Sequence, residues 1–188
     1  KIKYGLPEKY ILFVGTIEPR KNLINLVHAY ARIKNKFAHG LVIAGKLGWG
    51  YAELFETVKK LNIDGVFFTG FVPDEDMPLV YNGADVFVYP SFYEGFGIPL
   101  LEAFAAGLPV MCSDIPVFRE IGGENPFYIK PEPESFRDGI RGFFNQDHSR
   151  RNFLAEGAGH LSAFSWDENA RETIKCYEKV INNCKTEL

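Results

Sequence analysis

Two carboxylates and a glycine-bearing loop form the part of the sequence best suited to chemistry. Glu94 opens the segment Glu94-Gly-Phe-Gly-Ile-Pro99, and Glu102 lies about one turn into the helix predicted to follow. The preceding apolar run, Asp85-Val-Phe-Val-Tyr89, has the composition of a buried strand. A strand, a glycine loop and a helix start direct free backbone N–H groups and the positive end of the helix dipole toward one point. The stretch therefore predicts an anion site framed by two carboxylates that reach different parts of one ligand.

A pair of adjacent cations follows another apolar run near the start of the chain. Tyr10-Ile-Leu-Phe-Val-Gly15 predicts a first buried strand, and the loop after it carries Arg20 and Lys21. Asn22 is the expected N-cap of the next helix. Because the helix dipole disfavours cations at a helix start, this placement favours a role in binding an anion. A solvated pair of surface cations is the alternative.

Six short apolar runs alternate with stretches of helical period along the chain. This alternation predicts an α/β protein with a parallel sheet covered by helices on both faces. Two βαβαβ halves predict a Rossmann-like, doubly wound six-stranded sheet of order 3-2-1-4-5-6. A helical C-terminal extension in three pieces is expected from Glu134 onward, and Ser165-Trp-Asp-Glu168 is a capping box for its last helix. We treat residues 1–188 as a single domain.

The predicted strand order has a consequence for ligand binding. Strands one and four would be neighbours at the topological switch point, where ligands bind outside the carboxyl ends of the strands. The cation loop and the Glu94 loop would then open onto one crevice. Cations and an N–H nest suit a diphosphate, and carboxylates accept hydrogen bonds from sugar hydroxyls. A nucleotide-sugar is the ligand that uses all of these features.

Two positions at this crevice keep alternative interpretations. Glu102 lies among apolar residues, and a buried carboxylate needs a partner, which ribose hydroxyls or a structural lysine would supply. Phe71-Val72-Pro73 follows the third strand and either lets a base lie against the backbone or simply ends the strand.

Composition excludes several classes of protein. The chain has 188 residues with 46% hydrophobic and 24% charged residues, which are ordinary globular values. The net charge of −3 offers no basic field for nucleic acid. No apolar run approaches the roughly 18 residues needed to span a bilayer. The cysteines and histidines show no disulfide framework and no metal-ligand spacing; they are Cys112, Cys176, Cys184, His28, His39, His148 and His160. We expect a cytoplasmic protein.

The spacing Glu94-x7-Glu102, together with the intervening Gly-Phe-Gly-Ile-Pro, resembles the signature of retaining nucleotide-sugar glycosyltransferases of family four, which have the GT-B fold. The resemblance covers nearly the whole chain. It implies that residues 1–188 correspond to the carboxy-terminal, donor-binding half of a two-domain enzyme, whose amino-terminal acceptor domain is not in this sequence. Further matching segments are Val14-Gly-Thr-Ile-Glu-Pro-Arg-Lys-Asn22, Gly70-Phe-Val-Pro-Asp-Glu-Asp76, Ala84-Asp-Val-Phe-Val-Tyr-Pro-Ser91 and Phe164-Ser-Trp166.

The resemblance also implies roles for individual residues. Lys21 and Arg20 would hold the diphosphate, Glu102 the ribose hydroxyls, and Glu94 the transferred sugar. The commoner family pattern has an arginine directly after the glycine of the first loop; here that position is Thr16, and Arg20 would supply the guanidinium instead. The residues expected to be catalytic are Glu94, Lys21 and Arg20. The residues expected to bind the donor are Gly15, Thr16, Arg20, Lys21, Phe71, Val72, Glu94, Gly95, Phe96, Gly97, Ile98 and Glu102.

The implied activity is transfer of a sugar from a nucleotide diphosphate to a hydroxyl acceptor in glycan, polysaccharide or lipopolysaccharide assembly, with retention and without a bound metal or other cofactor. Mannose is one candidate among several sugars. The expected partners are the donor and the amino-terminal domain of the same enzyme, and we expect the isolated domain to transfer little. A membrane-associated acceptor, and association with the cytoplasmic face of a membrane, stay open. The alternative function is a nucleotide- or sugar-phosphate-binding module without transferase activity.

Overall fold

The computed structural model describes residues 1–145 and 159–186. It contains one six-stranded parallel sheet of order β3-β2-β1-β4-β5-β6, which confirms the predicted topology. The strands are β1 (Tyr10–Val14), β2 (Gly40–Ala44), β3 (Val66–Gly70), β4 (Val86–Tyr89), β5 (Val110–Ser113) and β6 (Phe127–Ile129). The helices between and after them are α1 (Leu23–Ala31), α2 (Ala52–Lys60), α3 (Met77–Gly83), α4 (Ile98–Ala105), α5 (Pro116–Gly122) and α6 (Pro133–Asn145), followed by a C-terminal helix (Trp166–Thr186).

The four inner strands form the centre of the core. Every residue of β1, β2, β4 and β5 is buried, as expected for parallel strands that carry helices on both faces and therefore read as continuous apolar runs. The edge strands β3 and β6 are only partly buried. The apolar stripes of the helices close the two faces, with Leu26, Val27 and Phe118 fully buried.

The strand order reverses between β1 and β4. These strands pair in parallel, with Ile11 opposite Val86 and Leu12 opposite Phe87, so the loops that follow them emerge at the same edge of the sheet. The two loops are joined by a backbone hydrogen bond from Phe92 N to Arg20 O of 2.9 Å. The predicted crevice at the switch point is therefore present.

The side chain of Asn22 does not cap α1 as predicted. Asn22 occupies the N-cap position with φ of 58° and makes no side-chain cap bond. Its Nδ2 instead donates to Pro90 O at 2.9 Å and Pro131 O at 3.2 Å. The amide joins the loops after β4 and β6 to the start of α1, because the buried carbonyl of Pro90 and the partly buried carbonyl of Pro131 need a donor.

The C-terminal extension is helical where the structure describes it. The predicted middle piece lies between α6 and the last helix, where residues 159–161 are helical and residues 146–158 are outside the described residues. Ser165 Oγ accepts from Glu168 N at 3.4 Å, which is one half of the predicted capping box. The C-terminal helix exposes apolar side chains, among them Trp166, Ile174 and Tyr177. Within residues 1–145 and 159–186, no helix is long and apolar enough to cross a membrane.

Candidate functional site

Glu94 is the centre of a set of charged contacts at the switch point. Its side chain is only 7% exposed and accepts hydrogen bonds from Lys21 Nζ at 2.6 Å, Arg20 Nη1 at 2.5 Å and Ser91 Oγ at 2.7 Å. Arg20 Nε also forms an ion pair with Glu18 Oε1 at 2.6 Å. We call Glu18, Arg20, Lys21 and Glu94 the ionic cluster. Its two cations and two carboxylates balance in charge.

The backbone before α1 places the two cations of the cluster. Pro19–Lys21 is a short 3-10 turn, closed by a bond from Lys21 N to Glu18 O of 3.0 Å. This turn directs Lys21 inward, where Nζ lies 3.2 Å from Tyr89 Oη and 5.1 Å from the centre of the Tyr89 ring. Arg20 stays 41% exposed. One cation is therefore buried in the site and the other is at its surface.

Hydrogen bonding keeps Glu94 ionised. Burial raises the pKa of this carboxyl, but the bonds from Lys21, Ser91 and Arg20 outweigh that effect, so the pKa of Glu94 lies below its usual value of 4.5. The adjoining phenol responds in the opposite direction, since burial and the negative charge of Glu94 raise the pKa of Tyr89. Glu94 is thus a carboxylate acceptor and Tyr89 a neutral donor.

Two glycines permit the backbone approaches that build the crevice. A Cβ on Gly45 would lie 2.0 Å from the carbonyl oxygen of Gly15, so the loops after β1 and β2 pass in direct contact. Gly97 precedes α4 with φ of 111°, a conformation that favours glycine, and an added Cβ would lie 3.2 Å from Phe118. Gly45 is therefore required by the close approach of the two loops, and Gly97 by its backbone conformation.

A cavity of about 660 Å³ opens beside the ionic cluster, a size suited to a small-molecule ligand. Glu102 lies on its wall and accepts a hydrogen bond from Tyr81 Oη at 2.7 Å. Tyr81 is nearly completely buried, and burial followed by the charge of Glu102 raises its pKa, so the phenol stays a donor. Glu102 therefore has a neutral structural partner rather than the lysine considered from the sequence. At the far wall Lys46 Nζ lies 4.4 Å above the exposed ring of Phe71.

The residues expected at the donor site fall into three groups. Those lining the cavity are Gly15, Thr16, Phe71, Val72, Ile98 and Glu102. Arg20, Lys21 and Glu94 are brought together in the ionic cluster. Gly95, Phe96 and Gly97 connect the cluster to α4 without lining the cavity. Lys21 Nζ lies 3.6 Å from where a Cβ on Gly15 would be, so cluster and cavity adjoin.

Several residues that build the site were not singled out from the sequence. Glu18 holds Arg20, Ser91 holds Glu94, and Tyr81 holds Glu102. Ser91 lies three residues before its partner, a spacing that could have indicated the contact. Tyr81 lies on α3, and only the packing of α3 against α4 reveals its role.

The described residues contain no group of three or more His, Cys, Asp or Glu side chains arranged to hold a metal ion. Cys112 is buried and Cys176 is exposed, and both are free thiols. His148 and the side chain of Cys184 lie outside the described part of the chain.

Comparison with known proteins gives relatives of one kind. Residues 2–159 match the family model described as glycosyl transferases group 1. The chain is 36% identical over 181 residues to O-antigen chain mannosyltransferase B of Escherichia coli, covering 94% of this chain and 48% of the relative. It therefore spans about half the length of that curated relative.

Solved structures share the fold. Sucrose-phosphate synthase from Thermosynechococcus elongatus superposes with a TM-score of 0.83 at 26% identity, covering 97% of this chain and 48% of that chain. HepE from Anabaena, whose structure was solved with UDP and glucose, gives a TM-score of 0.77 at 20% identity over 94% of this chain and 50% of its own. Because the family model matches most of its length, the chain belongs to the glycosyl transferases group 1 family and has the α/β fold of GT-B glycosyltransferases.

Proposed function

We propose that this chain is the donor-binding domain of a retaining glycosyltransferase that uses a nucleotide-diphosphate sugar. The observation that carries the proposal is the ionic cluster lying directly beside the cavity at the switch point. Arg20 and Lys21 supply two positive charges at one edge of the cavity, and Glu102 presents a carboxylate on its wall. That arrangement matches a ligand with a diphosphate in the middle and hydroxyl-bearing sugars on both sides.

Each part of the donor has a residue suited to it. The diphosphate lies against Lys21 and Arg20, which stabilise the charge that develops as it leaves the sugar. Tyr81 donates to one oxygen of Glu102, so the other oxygen accepts from a ribose hydroxyl. The base lies along Phe71 and Val72. Glu94 accepts hydrogen bonds from hydroxyls of the transferred sugar when the diphosphate draws Lys21 and Arg20 toward itself.

Relatives support a mannosyl donor and a glycan acceptor. Besides the O-antigen enzyme, the serotype-specific mannosyltransferase WbdA of Escherichia coli is 30% identical over 97% of this chain, which covers 23% of that protein. The Anabaena structure with UDP and glucose supports a nucleotide and a sugar in this fold. We propose transfer of mannose to a hydroxyl of a growing polysaccharide, without a metal ion at the diphosphate.

The acceptor is proposed to bind between this domain and an amino-terminal domain of the same enzyme. The C-terminal helix supports this partner, because its side chains from Trp166 to Ile181 are exposed in the described structure and include several large apolar residues. Exposed apolar side chains repeated along one helix indicate a surface that packs against another domain.

A thermal-shift and calorimetry panel tests the donor site. The chain is mixed with UDP, GDP, ADP and their common sugar conjugates, with the nucleoside monophosphates as controls. A ligand that binds only the folded state stabilises it by about 2.7 kcal/mol at a hundredfold excess over Kd. We expect selective stabilisation by one nucleoside diphosphate. No stabilisation by any of them at millimolar concentration contradicts the proposed donor site.

Transfer itself is measured on the full-length enzyme. NMR of the product made from an α-linked mannosyl donor reports the anomeric configuration, and an α-linked product is expected for retention. Donor binding without transfer to any saccharide acceptor supports the alternative, a binding module without transferase activity.

A further inference from the structure

We propose that Glu18 is a positioning residue that aims the guanidinium of Arg20 at the donor diphosphate. The inference rests on the proposed function and adds a residue to it. Glu18 is two residues before Arg20, and its Oε1 forms an ion pair with Arg20 Nε at 2.6 Å. Its side chain is 14% exposed, compared with 41% for Arg20. The less exposed carboxylate thus anchors a more exposed cation.

The backbone of Glu18 is fixed from two sides. On one side the 3-10 turn begins immediately after it, and its carbonyl accepts from Lys21 N. On the other side Ile17 exchanges backbone bonds with the loop after β2, donating to Lys46 O at 2.8 Å and accepting from Gly48 N at 2.9 Å. The Cβ that Gly48 lacks would lie 3.4 Å from Cβ of Glu18. A carboxylate on so constrained a segment is a suitable anchor for a long, flexible side chain.

The two carboxylates hold different edges of the guanidinium. Glu18 binds Nε, whereas Glu94 binds Nη1. A diphosphate that competes with Glu94 for Nη1 leaves the ion pair between Nε and Glu18 in place. Because the guanidinium is planar and rigid, an ion pair that holds Nε close to Glu18 restricts where the terminal nitrogens can lie. Arg20 therefore exchanges Glu94 for phosphate while it stays attached to Glu18.

Charge and positioning predict opposite results, which makes the role testable. Glu18 adds a negative charge close to a polyanion site, so its charge alone weakens diphosphate binding, and its removal tightens binding. Positioning predicts that Glu18→Ala weakens binding. It also predicts that Glu18→Gln weakens binding, because the neutral amide does not form the ion pair with Arg20.

The experiment is isothermal titration of the chain with UDP and, separately, with GDP. The variants are Glu18→Ala, Glu18→Gln, Arg20→Ala and the double variant Glu18→Ala/Arg20→Ala. Glu53→Ala is the matched control, since Glu53 lines the same 270 Å³ cavity as Glu18 on the outer side of this loop and forms no ion pair with Arg20. Ligand-free melting curves establish that each variant is folded.

We expect Glu18→Ala to raise Kd roughly twofold to fivefold, the size of losing one partly exposed ion pair. Glu18→Gln should raise Kd by a similar factor. In the Arg20→Ala background the Glu18→Ala change should cause no further loss of affinity. Unchanged or tighter binding by Glu18→Ala overturns the positioning role. So does a loss of affinity from Glu18→Ala that is equally large in the Arg20→Ala background. A wild-type chain that binds neither nucleotide instead overturns the proposed donor site itself.

Discussion

Replacing Glu94 with methionine tests whether the ionic cluster depends on a buried charge pair. Methionine matches glutamate in length but has no oxygens to accept from Lys21, Arg20 and Ser91. Lys21, whose side chain is 6% exposed, then keeps only the Tyr89 hydroxyl at 3.2 Å as a hydrogen-bond partner among the described residues. Leaving a buried charge unpaired costs about 3–5 kcal/mol. We expect Glu94→Met to lower the free energy of unfolding by that amount.

The reverse substitution should cost less, because the cluster is asymmetric. In Lys21→Met the carboxylate of Glu94 keeps its bonds from Arg20 and Ser91, so we expect a loss of about 1–3 kcal/mol, the cost of one charged hydrogen bond. The double variant Lys21→Met/Glu94→Met removes both buried charges together. Apolar replacement of a whole buried pair is often neutral, so the double variant should be more stable than Glu94→Met alone.

Urea denaturation, monitored by circular dichroism, measures these differences in the free energy of unfolding. For a domain of this size each kcal/mol corresponds to a change of about 2–4 °C in Tm, so Glu94→Met should melt roughly 6–20 °C lower. Glu75→Met, at an exposed acidic position of the loop before α3, is the control and should change stability by less than about 0.5 kcal/mol. The buried-pair account is refuted if Glu94→Met lowers the free energy of unfolding by less than about 1 kcal/mol. It is also refuted if the loss in the double variant equals the sum of the losses in the two single variants.

Three further predictions address acid stability, the cavity wall and the backbone. The folded pKa of Glu94 lies below its usual value of 4.5, so the carboxylate stabilises the folded state above that pH, and this stabilisation is lost as the pH falls through the folded pKa. Between pH 7 and pH 3 the urea midpoint should therefore fall less for Glu94→Met than for the wild type. Tyr81→Phe removes the donor to Glu102 and should weaken UDP or GDP binding about threefold to tenfold while leaving inorganic pyrophosphate binding unchanged, as calorimetry would show. Gly45→Ala forces a Cβ to 2.0 Å from a carbonyl oxygen and should cost about 2 kcal/mol or more in urea denaturation, whereas Gly142→Ala, which meets nothing within 4 Å in α6, should be neutral or stabilising by up to about 1 kcal/mol.

The sheet could be predicted because its signal is local. Each inner strand is a largely apolar run of four or five residues, and each is separated from the next by a stretch of helical period. Parallel strands joined by right-handed crossovers leave few arrangements of such units. Once β1 and β4 are neighbours, the loops holding Lys21 and Glu94 must emerge at one edge. The meeting of these two loops therefore follows from pattern alone.

The contacts within the cluster could not be predicted, because they join distant parts of the chain. Lys21 and Glu94 are 73 residues apart, and their 2.6 Å contact depends on the inward turn at Pro19–Lys21. From the sequence, the cations were expected to face a diphosphate and the carboxylate a sugar. In the structure Lys21 and Glu94 face one another, because charges buried this deeply need a partner.

The same physical reason explains why Asn22 occupies the predicted N-cap position without making a side-chain cap bond. A capping asparagine satisfies a backbone N–H of its own helix, and that local rule was the basis of the prediction. The loops after β4 and β6 bring the carbonyls of Pro90 and Pro131 within 3.2 Å of the amide. Satisfying one buried and one partly buried carbonyl outweighs one cap bond at a helix start, since buried acceptors without donors are costly. Sequence rules for caps do not include such competition.

A charge-balanced cluster has a consequence for how the proposed donor binds. A diphosphate entering beside Lys21 and Arg20 must compete with Glu94, so part of its interaction energy is used to break the contacts at 2.6 Å and 2.5 Å. The displaced Glu94 carboxylate then needs new donors, and hydroxyls of the transferred sugar supply them. A nucleoside diphosphate alone supplies none. The complete sugar donor should therefore bind more tightly than the matching nucleoside diphosphate, and this difference should disappear in Glu94→Met; an equal preference in wild type and variant would show that Glu94 does not meet the sugar.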